Sequence, residues 1–235
     1  MTFEEVMHEL ETLGSERIKK QYMANGAREP LFGVATGAMR PLFKKVKINQ
    51  ALAEQLYSCG NYDAMYFAGM IADPKAMTEA DFDRWIKAAY FYMISDYIVA
   101  VTLAESPIAI QVAGKWTKSP DELCASAGWS CFEWLLGWKP DRAFDQGQLK
   151  EMLAMVEGTV HAQPERVRHS MNRFVVAVGV SFLPLHEEAT KTAKAIGSVM
   201  VSAPKGQCAL PTACDSIQKM KEKGRLGFKR RAVRC

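Results

Sequence analysis

Apolar side chains recur every three or four positions along most of the chain, which is the spacing of amphipathic helices. Capping side chains and prolines divide this pattern into short segments. Thr2 and Glu5 have the spacing of a capping box that opens the first segment, and Gly14 ends it. Ser119 and Glu122 repeat the capping box further along. The pattern predicts an all-α protein of about eleven helices joined by short loops.

The helix boundaries themselves recur at intervals of roughly 33 to 44 residues, which is the period of helical-repeat proteins. Pro74 and Pro107 mark one interval, and Pro120 and Pro164 mark another. Stacked repeats build an extended surface that suits a large ligand. We therefore predict a single repeat domain over residues 1–235, with a compact helical bundle as the competing architecture.

Residues 198–211 depart from the helical pattern. Val199 and Val201 alternate with serines, a Pro-Lys-Gly turn follows, and then Cys208 and Leu210 alternate with other residues. Alternation on both sides of a turn is typical of a β-hairpin, and a long loop is the alternative. Because an isolated hairpin is marginally stable in water, we expect this one to pack on helices or on a partner.

Composition places the chain among globular proteins. Hydrophobic residues make up 49% of the 235 positions, enough for a large core, which excludes a disordered or coiled-coil chain. The longest apolar runs, such as residues 98–104, are far shorter than the roughly 20 residues that cross a bilayer. The acidic, amphipathic N-terminus does not have the pattern of a secretory signal. We therefore expect a cytoplasmic protein.

Six cysteines and four histidines raise the question of a metal site. No two cysteines have the C-x-x-C spacing and the histidines do not cluster near them, whereas zinc sites usually combine two close ligand pairs. Free thiols are the simpler interpretation for a cytosolic protein. We expect no metal and no other cofactor.

Positive charge is concentrated at the end of the chain. The net charge is +4, yet residues 219–235 carry eight bases against one acid, which leaves a net −3 for residues 1–218. Such a tail suits a polyanion, nucleic acid first and an anionic membrane second, and a solubilising tail has the same composition. Leu226, Phe228 and Val233 are its large apolar residues, and we expect them to dock the tail on the last helices.

Three lysines outside the tail extend this basic surface. Lys191 and Lys194 are about one helical turn apart, and Lys205 lies in the predicted hairpin turn. With the tail they form the residues that we expect to contact DNA phosphates, which are Lys191, Lys194, Lys205, Lys223, Arg225, Lys229, Arg230 and Arg231.

Several short stretches resemble the bacterial DNA alkylation repair family, the AlkD-like HEAT-repeat proteins. They are Phe32-Gly33-Val34, residues 39–44, residues 62–74, Trp116, Trp129 and residues 171–179. The resemblance covers about residues 5–197. It implies a right-handed superhelical stack of HEAT-like repeats, an α-solenoid, whose positive concave face holds duplex DNA by its backbone. The better-known members are N-glycosylases that release N3- and N7-alkylated purines.

In those glycosylases an aromatic residue and an aspartate lie four positions apart on one helix, where a carboxylate can stabilise the developing sugar cation. Two registers are open in this chain. In one, Tyr92 and Asp96 fill the two roles, and they are our candidate catalytic residues. In the other, which suits the following alanine-rich turn, Ser95 and Val99 stand at these positions and both roles are lost.

Other features resemble a different branch of the family. The tryptophan and arginines that the glycosylases carry further along correspond here to Val180, Leu183 and Ser126, which cannot do the same work. Residues 171–179, the hairpin and the basic end resemble the AlkF/AlkG-type members, which bind branched or junction DNA with little or no base excision. The resemblance therefore implies a structure-selective DNA-binding protein.

Two alternatives stay open at this point. One is a DNA N-glycosylase for alkylated purines, and the other is a helical-repeat scaffold that binds another protein. The environment of Asp96 separates the first alternative from the DNA-binding interpretation. An exposed Asp96 at the centre of a positive concave groove would favour the glycosylase, whereas a buried Asp96 paired with an arginine would favour the DNA-binding protein.

Overall fold

The computed structural model describes residues 1–203 and 206–234 of the protein. Its helices confirm the all-α prediction. They are α1 (Phe3–Thr12), α2 (Glu16–Ala24), α3 (Arg40–Val46), α4 (Gln50–Ser58), α5 (Tyr62–Ile71), α6 (Glu79–Ala88), α7 (Tyr92–Ile94), α8 (Ala100–Ala104), α9 (Ala109–Trp116), α10 (Glu122–Leu136), α11 (Gln146–Thr159), α12 (Glu165–Ser181), α13 (His186–Ile196) and α14 (Ala213–Glu222). Two strands, β1 (Met200–Ala203) and β2 (Gly206–Ala209), lie between α13 and α14.

The contacts divide the chain into two compact units. The first consists of Met1–Ile108 together with Arg234, and the second consists of Ala109–Val233. The first unit therefore contains α1 to α8, and the second contains α9 to α14 with the two strands. The expected single repeat domain over residues 1–235 stays a prediction.

The first unit is organised around the carboxylate of Asp63, in the first turn of α5. This residue is fully buried and accepts hydrogen bonds from three consecutive backbone amides, those of Phe32, Gly33 and Val34, at 2.6, 2.9 and 2.8 Å. Burial raises the pKa of Asp63, and the hydrogen bonds from these amides oppose that shift. The interaction holds a loop of irregular backbone against the start of α5.

Gly33 allows the same loop to approach α2. Its φ of +79° lies in the left-handed region that favours glycine, and a Cβ atom there would lie 2.5 Å from the backbone nitrogen of Lys19. The amide of Ser15, directly before α2, donates to the carbonyl oxygens of Phe32 and Gly33 at 3.2 and 3.1 Å. The loop thus joins α2 to α5 through main-chain contacts that a side chain at position 33 would disrupt.

Arg234 binds the C-terminal end of α5. Its guanidinium donates to the carbonyl oxygens of Gly69 and Ala72, both at 2.9 Å, and to the carboxylate of Glu105 at 2.7 Å. A cation at this end satisfies carbonyl groups that lack a partner within the helix and interacts favourably with the helix dipole. One base of the tail is therefore used inside the protein.

In the second unit, α12 is the central helix and packs against α10, α13, α14 and β1. Phe174 of α12 is fully buried, and its ring lies 5.1 Å from the ring of Trp129 in an edge-to-face contact. Gly179 permits the close approach of α14, because a Cβ atom there would lie 2.6 Å from the side chain of Ile217. Neighbouring elements are therefore positioned by their packing on α12.

The two strands confirm the predicted hairpin, with strands shorter than the whole of residues 198–211. They are antiparallel, with Met200 paired to Ala209. Beyond the strands, the Leu210 amide donates to the carbonyl oxygen of Val199 at 2.8 Å. Val199 itself is 1% exposed, so the base of the hairpin is buried on the helices, as its marginal stability in isolation requires.

One predicted helix start is wrong. α10 begins at Glu122 with Asp121 as its N-cap, whose carboxylate accepts a hydrogen bond from the Cys124 amide at 2.8 Å. Ser119 instead accepts a hydrogen bond from the Asp121 amide at 3.2 Å. Aspartate is as good a cap as serine, so two capping residues two positions apart leave the boundary ambiguous in the sequence.

We expect Asp63→Asn to lower the free energy of unfolding by about 2 kcal/mol or more, because the asparagine amide would turn N–H groups toward backbone N–H groups and leave buried donors unsatisfied. Urea denaturation at neutral pH measures the change. Asp215→Asn, at an exposed position in the first turn of α14, is the control and should change stability far less. Equal stability of the two variants would contradict a central role for Asp63.

Candidate nucleic-acid interface

The candidate catalytic residues lie where α7 passes into a π-helical segment, Ser95–Val99, that leads into α8. Such segments are rare and are frequently found at functional sites. Asp96 is only 1% exposed and accepts a hydrogen bond from the Ser95 hydroxyl at 2.8 Å, whereas Tyr92 is partly exposed. The two candidate side chains therefore differ in their access to a ligand.

The alternative register of this helix places Ser95 and Val99 at the positions of the aromatic residue and the aspartate. Both of these residues are fully buried. A carboxylate that stabilises a sugar cation has to lie close to the developing charge. In neither register does the helix, all of which the structure describes, present an exposed carboxylate, and the catalytic roles of Asp96 and Tyr92 stay predictions.

The hairpin is tied to α12 at two points. The Ser202 hydroxyl donates to the carboxylate of Glu165, the first residue of α12, and this hydrogen bond lowers the pKa of Glu165. After the second strand, the side-chain amide of Asn172 donates to the carbonyl oxygen of Pro211 at 3.2 Å. The first strand and the segment after the second strand thus both contact the same helix.

The same helix carries a group of basic side chains near the hairpin. Arg166, Arg168, His169 and Arg173 are all partly exposed. Arg173 forms an ion pair with Glu133 of α10, so it also joins two helices of the core. Burial, together with the positive charges of Arg166 and Arg173, lowers the pKa of His169 to about 4. His169 is therefore neutral at physiological pH, and the arginines supply the charge.

The lysines predicted outside the tail divide between α13 and the hairpin. Lys191 and Lys194 are exposed on α13, about one turn apart as expected. Lys205 lies outside the described residues. Across the part of the chain that the structure describes, no group of His, Cys, Asp and Glu residues is arranged to hold a metal ion.

The tail packs on the second unit through its backbone. The amides of Gly227 and Arg230 donate to the carbonyl oxygens of Val180 and Gly137, each at 2.7 Å. Val233 is 6% exposed, as expected of an apolar anchor. Phe228, expected to be another anchor, is 56% exposed and lies beside the guanidinium of Arg225. Main-chain hydrogen bonds therefore replace part of the apolar docking that the sequence suggested.

The five tail bases predicted to bind DNA fall into two groups. Lys229 is an anchor, because its ammonium group donates to the carbonyl oxygen of Leu136 and pairs with Asp141, both at 2.8 Å. Arg230 is exposed and its guanidinium lies 4.6 Å from the centre of the Trp134 ring. The exposed bases of this set are Lys223, Arg225, Arg230 and Arg231.

Comparison with known proteins identifies the family of this chain. Residues 6–198 match the sequence profile of a family described as DNA alkylation repair enzyme. The chain belongs to this family. Relatives include two uncharacterised proteins, Lin0241 of Listeria innocua at 25% identity and Lmo0209 of Listeria monocytogenes at 24% identity. Each matches over 228 residues, which cover 95% of this chain and 99% of the relative.

A solved structure is similar to this member of the DNA alkylation repair family over the whole of both chains, with 60% sequence identity and a TM-score of 0.96. It is described as "a new family of proteins related to the HEAT-like repeat DNA glycosylases with affinity for branched DNA structures". The similarity confirms the fold of HEAT-like helical repeats. Within the described residues, no helix is both long and apolar enough to cross a membrane.

The basic side chains of α12 are the interface candidates that sequence analysis of this family member missed. A signal was present, since three arginines, at positions 166, 168 and 173, fall within eight residues of one helix. Their location beside the hairpin depends on the contact between Ser202 and Glu165, which are 37 positions apart. Local patterns carry no information about such a contact.

We expect the stability of this protein to fall as the pH is lowered from about 6.5 toward 4, in part through His169. The folded protein binds a proton on His169 with a pKa of about 4, whereas the unfolded chain does so near the ordinary value, so acidification between these values favours unfolding. Chemical denaturation at a series of pH values measures the slope. His169→Gln should flatten it, whereas His8→Gln, at an exposed position, should not. The idea is wrong if both variants keep the wild-type slope.

Substitutions of Lys229 and Lys223 should distinguish a lysine that anchors the tail from a lysine that contacts DNA. We expect Lys229→Ala to lower the free energy of unfolding by about 1 kcal/mol, since it removes a hydrogen bond and an ion pair that are partly shielded from solvent. Lys223→Ala should leave stability unchanged and weaken DNA binding equally for all sequences. Thermal denaturation measures stability, and a fluorescence titration measures DNA binding. If Lys223→Ala lowered stability and Lys229→Ala did not, the tail would not be held as described.

Proposed function

We propose that this protein binds branched or junction DNA in a structure-selective way, with weak or no base excision. The observation that carries the proposal is its full-length similarity, at 60% identity, to a structure whose description includes affinity for branched DNA structures. The geometry supports it, because the second unit combines a hairpin tied to α12 with exposed bases on α13 and in the tail.

Two kinds of contact have different tasks in this proposal. The exposed bases supply affinity, because each phosphate that they neutralise releases counterions, and this is independent of DNA structure. Selectivity requires an element that responds to the shape of the DNA. The hairpin suits that task because Val199 at its base is buried while Ser202 of its first strand is exposed. Lys205, in the segment between the strands, is part of the proposed contact set.

An alkylpurine DNA N-glycosylase is the second candidate function, and the description of the family as a repair enzyme favours it. In that case Asp96 would be the catalytic carboxylate, with Tyr92 beside the sugar. The burial of Asp96, at 1% exposure, favours the DNA-binding protein instead, because a ligand cannot approach the carboxylate without movement of the helix.

A protein partner is the least supported alternative. The eight bases against one acid in residues 219–235 create a charge excess that attracts a polyanion rather than an average protein surface. The proposal includes a cytoplasmic location, as expected from the sequence.

We expect the protein to bind junction DNA more tightly than duplex DNA. Its affinity for DNA should also fall by orders of magnitude as the salt concentration rises from about 50 to 200 mM. Gel-shift titrations with single-stranded, duplex, three-way and four-way DNA of one sequence measure both trends. Replacing residues 200–209 by a short Gly-Ser linker should lower the junction-to-duplex ratio and reduce the salt dependence only by the one phosphate contact that Lys205 supplies. Arg225→Ala is the matched control and should weaken binding to every DNA form alike.

A base-release assay on methylated DNA, run beside these titrations, decides between the two functions. The proposal expects slow or absent release of alkylpurines. Rapid release that is lost in Asp96→Asn would establish the glycosylase and overturn the proposal. Equal affinity for junction and duplex DNA in the wild-type protein would overturn structure selectivity directly.

A further inference from the structure

Six of the chain's seven tyrosines gather in the first unit around one phenylalanine, Phe91. At the centre, the rings of Tyr62 and Phe91 lie 5.3 Å apart. Four further tyrosine rings contact one or other of this pair and Tyr97 contacts Tyr92, with ring centres 5.0 to 6.4 Å apart. We name this group the tyrosine cluster; it consists of Tyr22, Tyr62, Tyr66, Tyr90, Phe91, Tyr92 and Tyr97.

The tyrosine cluster has a buried floor and an accessible outer layer. Tyr62 is 1% exposed and Phe91 is 7% exposed, whereas the other five tyrosines are partly exposed. The Tyr22 hydroxyl donates to the carbonyl oxygen of Val34 at 2.9 Å, which ties this ring to the loop held by Asp63. The rings therefore form a preorganised surface, and preorganisation lowers the entropy lost on binding.

One polar group within the cluster is buried. The hydroxyl of Tyr62 is buried and makes no hydrogen bond with any residue that the structure describes. A buried hydroxyl without a partner is unfavourable, so a water molecule would be stabilised there. Burial raises the pKa of Tyr22 to about 12 and also raises the pKa of Tyr62.

Positive charge borders the tyrosine cluster. The guanidinium of Arg28 lies 4.2 Å from the centre of the Tyr90 ring, a cation–π contact. Helix α2, which carries Tyr22, holds Arg17, Lys19 and Lys20 against the single acid Glu16. All nine residues of α2 are described, and none of them is fully buried. Lys19 pairs with Glu29, and Arg17 and Lys20 are exposed to solvent.

We infer that unpaired nucleobases of branched DNA stack on the tyrosine cluster while the basic side chains of α2 contact the neighbouring phosphates. Aromatic rings stack on every nucleobase, because each base has a π-face, and such stacking tolerates any sequence. Bases inside a duplex are already stacked on their neighbours, so only unpaired positions at a flap, gap or branch point can use the cluster. This inference rests on the proposed function and adds a second means of recognising DNA structure.

The chemistry of the ligand follows from the combination of groups. Exposed phenol rings beside guanidinium and ammonium groups match a strand that alternates flat bases with negative phosphates. A single-stranded segment of DNA presents both kinds of group together, whereas the faces of the bases in a duplex are covered by their neighbours.

Fluorescence of 2-aminopurine tests the inference directly. The analogue is placed at an unpaired position of a flap, and in a second substrate at a paired position of the same sequence. We expect quenching on binding only at the unpaired position. Tyr90→Leu combined with Tyr97→Leu should abolish the quenching and weaken flap binding about tenfold, because stacking is lost, with little change for duplex DNA. Tyr90→Phe combined with Tyr97→Phe keeps both rings and should retain the quenching.

Photochemical cross-linking keeps the test independent of whether the leucine variant folds. DNA that carries 5-iodouracil at the unpaired position is irradiated with the wild-type protein, and the modified peptides are identified by mass spectrometry. We expect modified residues within positions 62–66 or 90–97. Phe228→Leu, an exposed aromatic position outside the cluster, is the control variant and should leave the cross-link and the quenching unchanged.

The possible failures are distinguishable. Binding of flap DNA without quenching, or with equal quenching in the leucine variant, would overturn the stacking site while the proposed function stands. Cross-links confined to the hairpin or tail would overturn it in the same way. Absence of any preference for branched DNA would overturn the proposed function, and the stacking site with it.

Discussion

The buried carboxylate of Asp63 is the interaction on which the arrangement of the first unit depends. It accepts hydrogen bonds from the backbone amides of Phe32, Gly33 and Val34 and so makes an irregular loop a fixed part of the core. Each of those amides would otherwise be buried without a partner. The loop in turn holds Ser15 at the start of α2 and receives the hydroxyl of Tyr22. Loss of one carboxylate would therefore loosen both a helix and the aromatic surface beside it.

The same interaction shows what a sequence can and cannot reveal. The cap at Thr2 and the hairpin were predictable because each depends on residues a few positions apart. The stretches containing Phe32-Gly33-Val34 and Asp63 could be recognised only as parts of a family resemblance, since the bond between them spans about 30 positions. The π-helical segment around Asp96 and the location of the α12 arginines were missed because both depend on tertiary packing.

Charge counts predicted a basic surface at the end of the chain, and the contacts show that the charges have two uses. Arg234 binds carbonyl groups at the end of α5, and Lys229 binds those at the end of α10 together with Asp141. These two cations add to the apolar anchor Val233 in a tail that has few large hydrophobic residues. Because a cation that is bound within the protein contributes less to phosphate contact, the net charge of the tail overstates its capacity to bind DNA.

Under the proposed function, affinity and selectivity have separate origins. Exposed basic side chains such as Lys191 and Arg231 would attract any DNA, because every form of DNA carries the same phosphates. A protein can prefer branched DNA only through groups that meet a feature absent from plain duplex, namely an altered path of the strands or an unpaired base. The buried position of Asp96 is consistent with that division, since recognition of shape needs no carboxylate at the DNA. A family fold can thus be kept while the role of one helix changes from chemistry to support, because function depends on the groups that the fold exposes rather than on the fold itself.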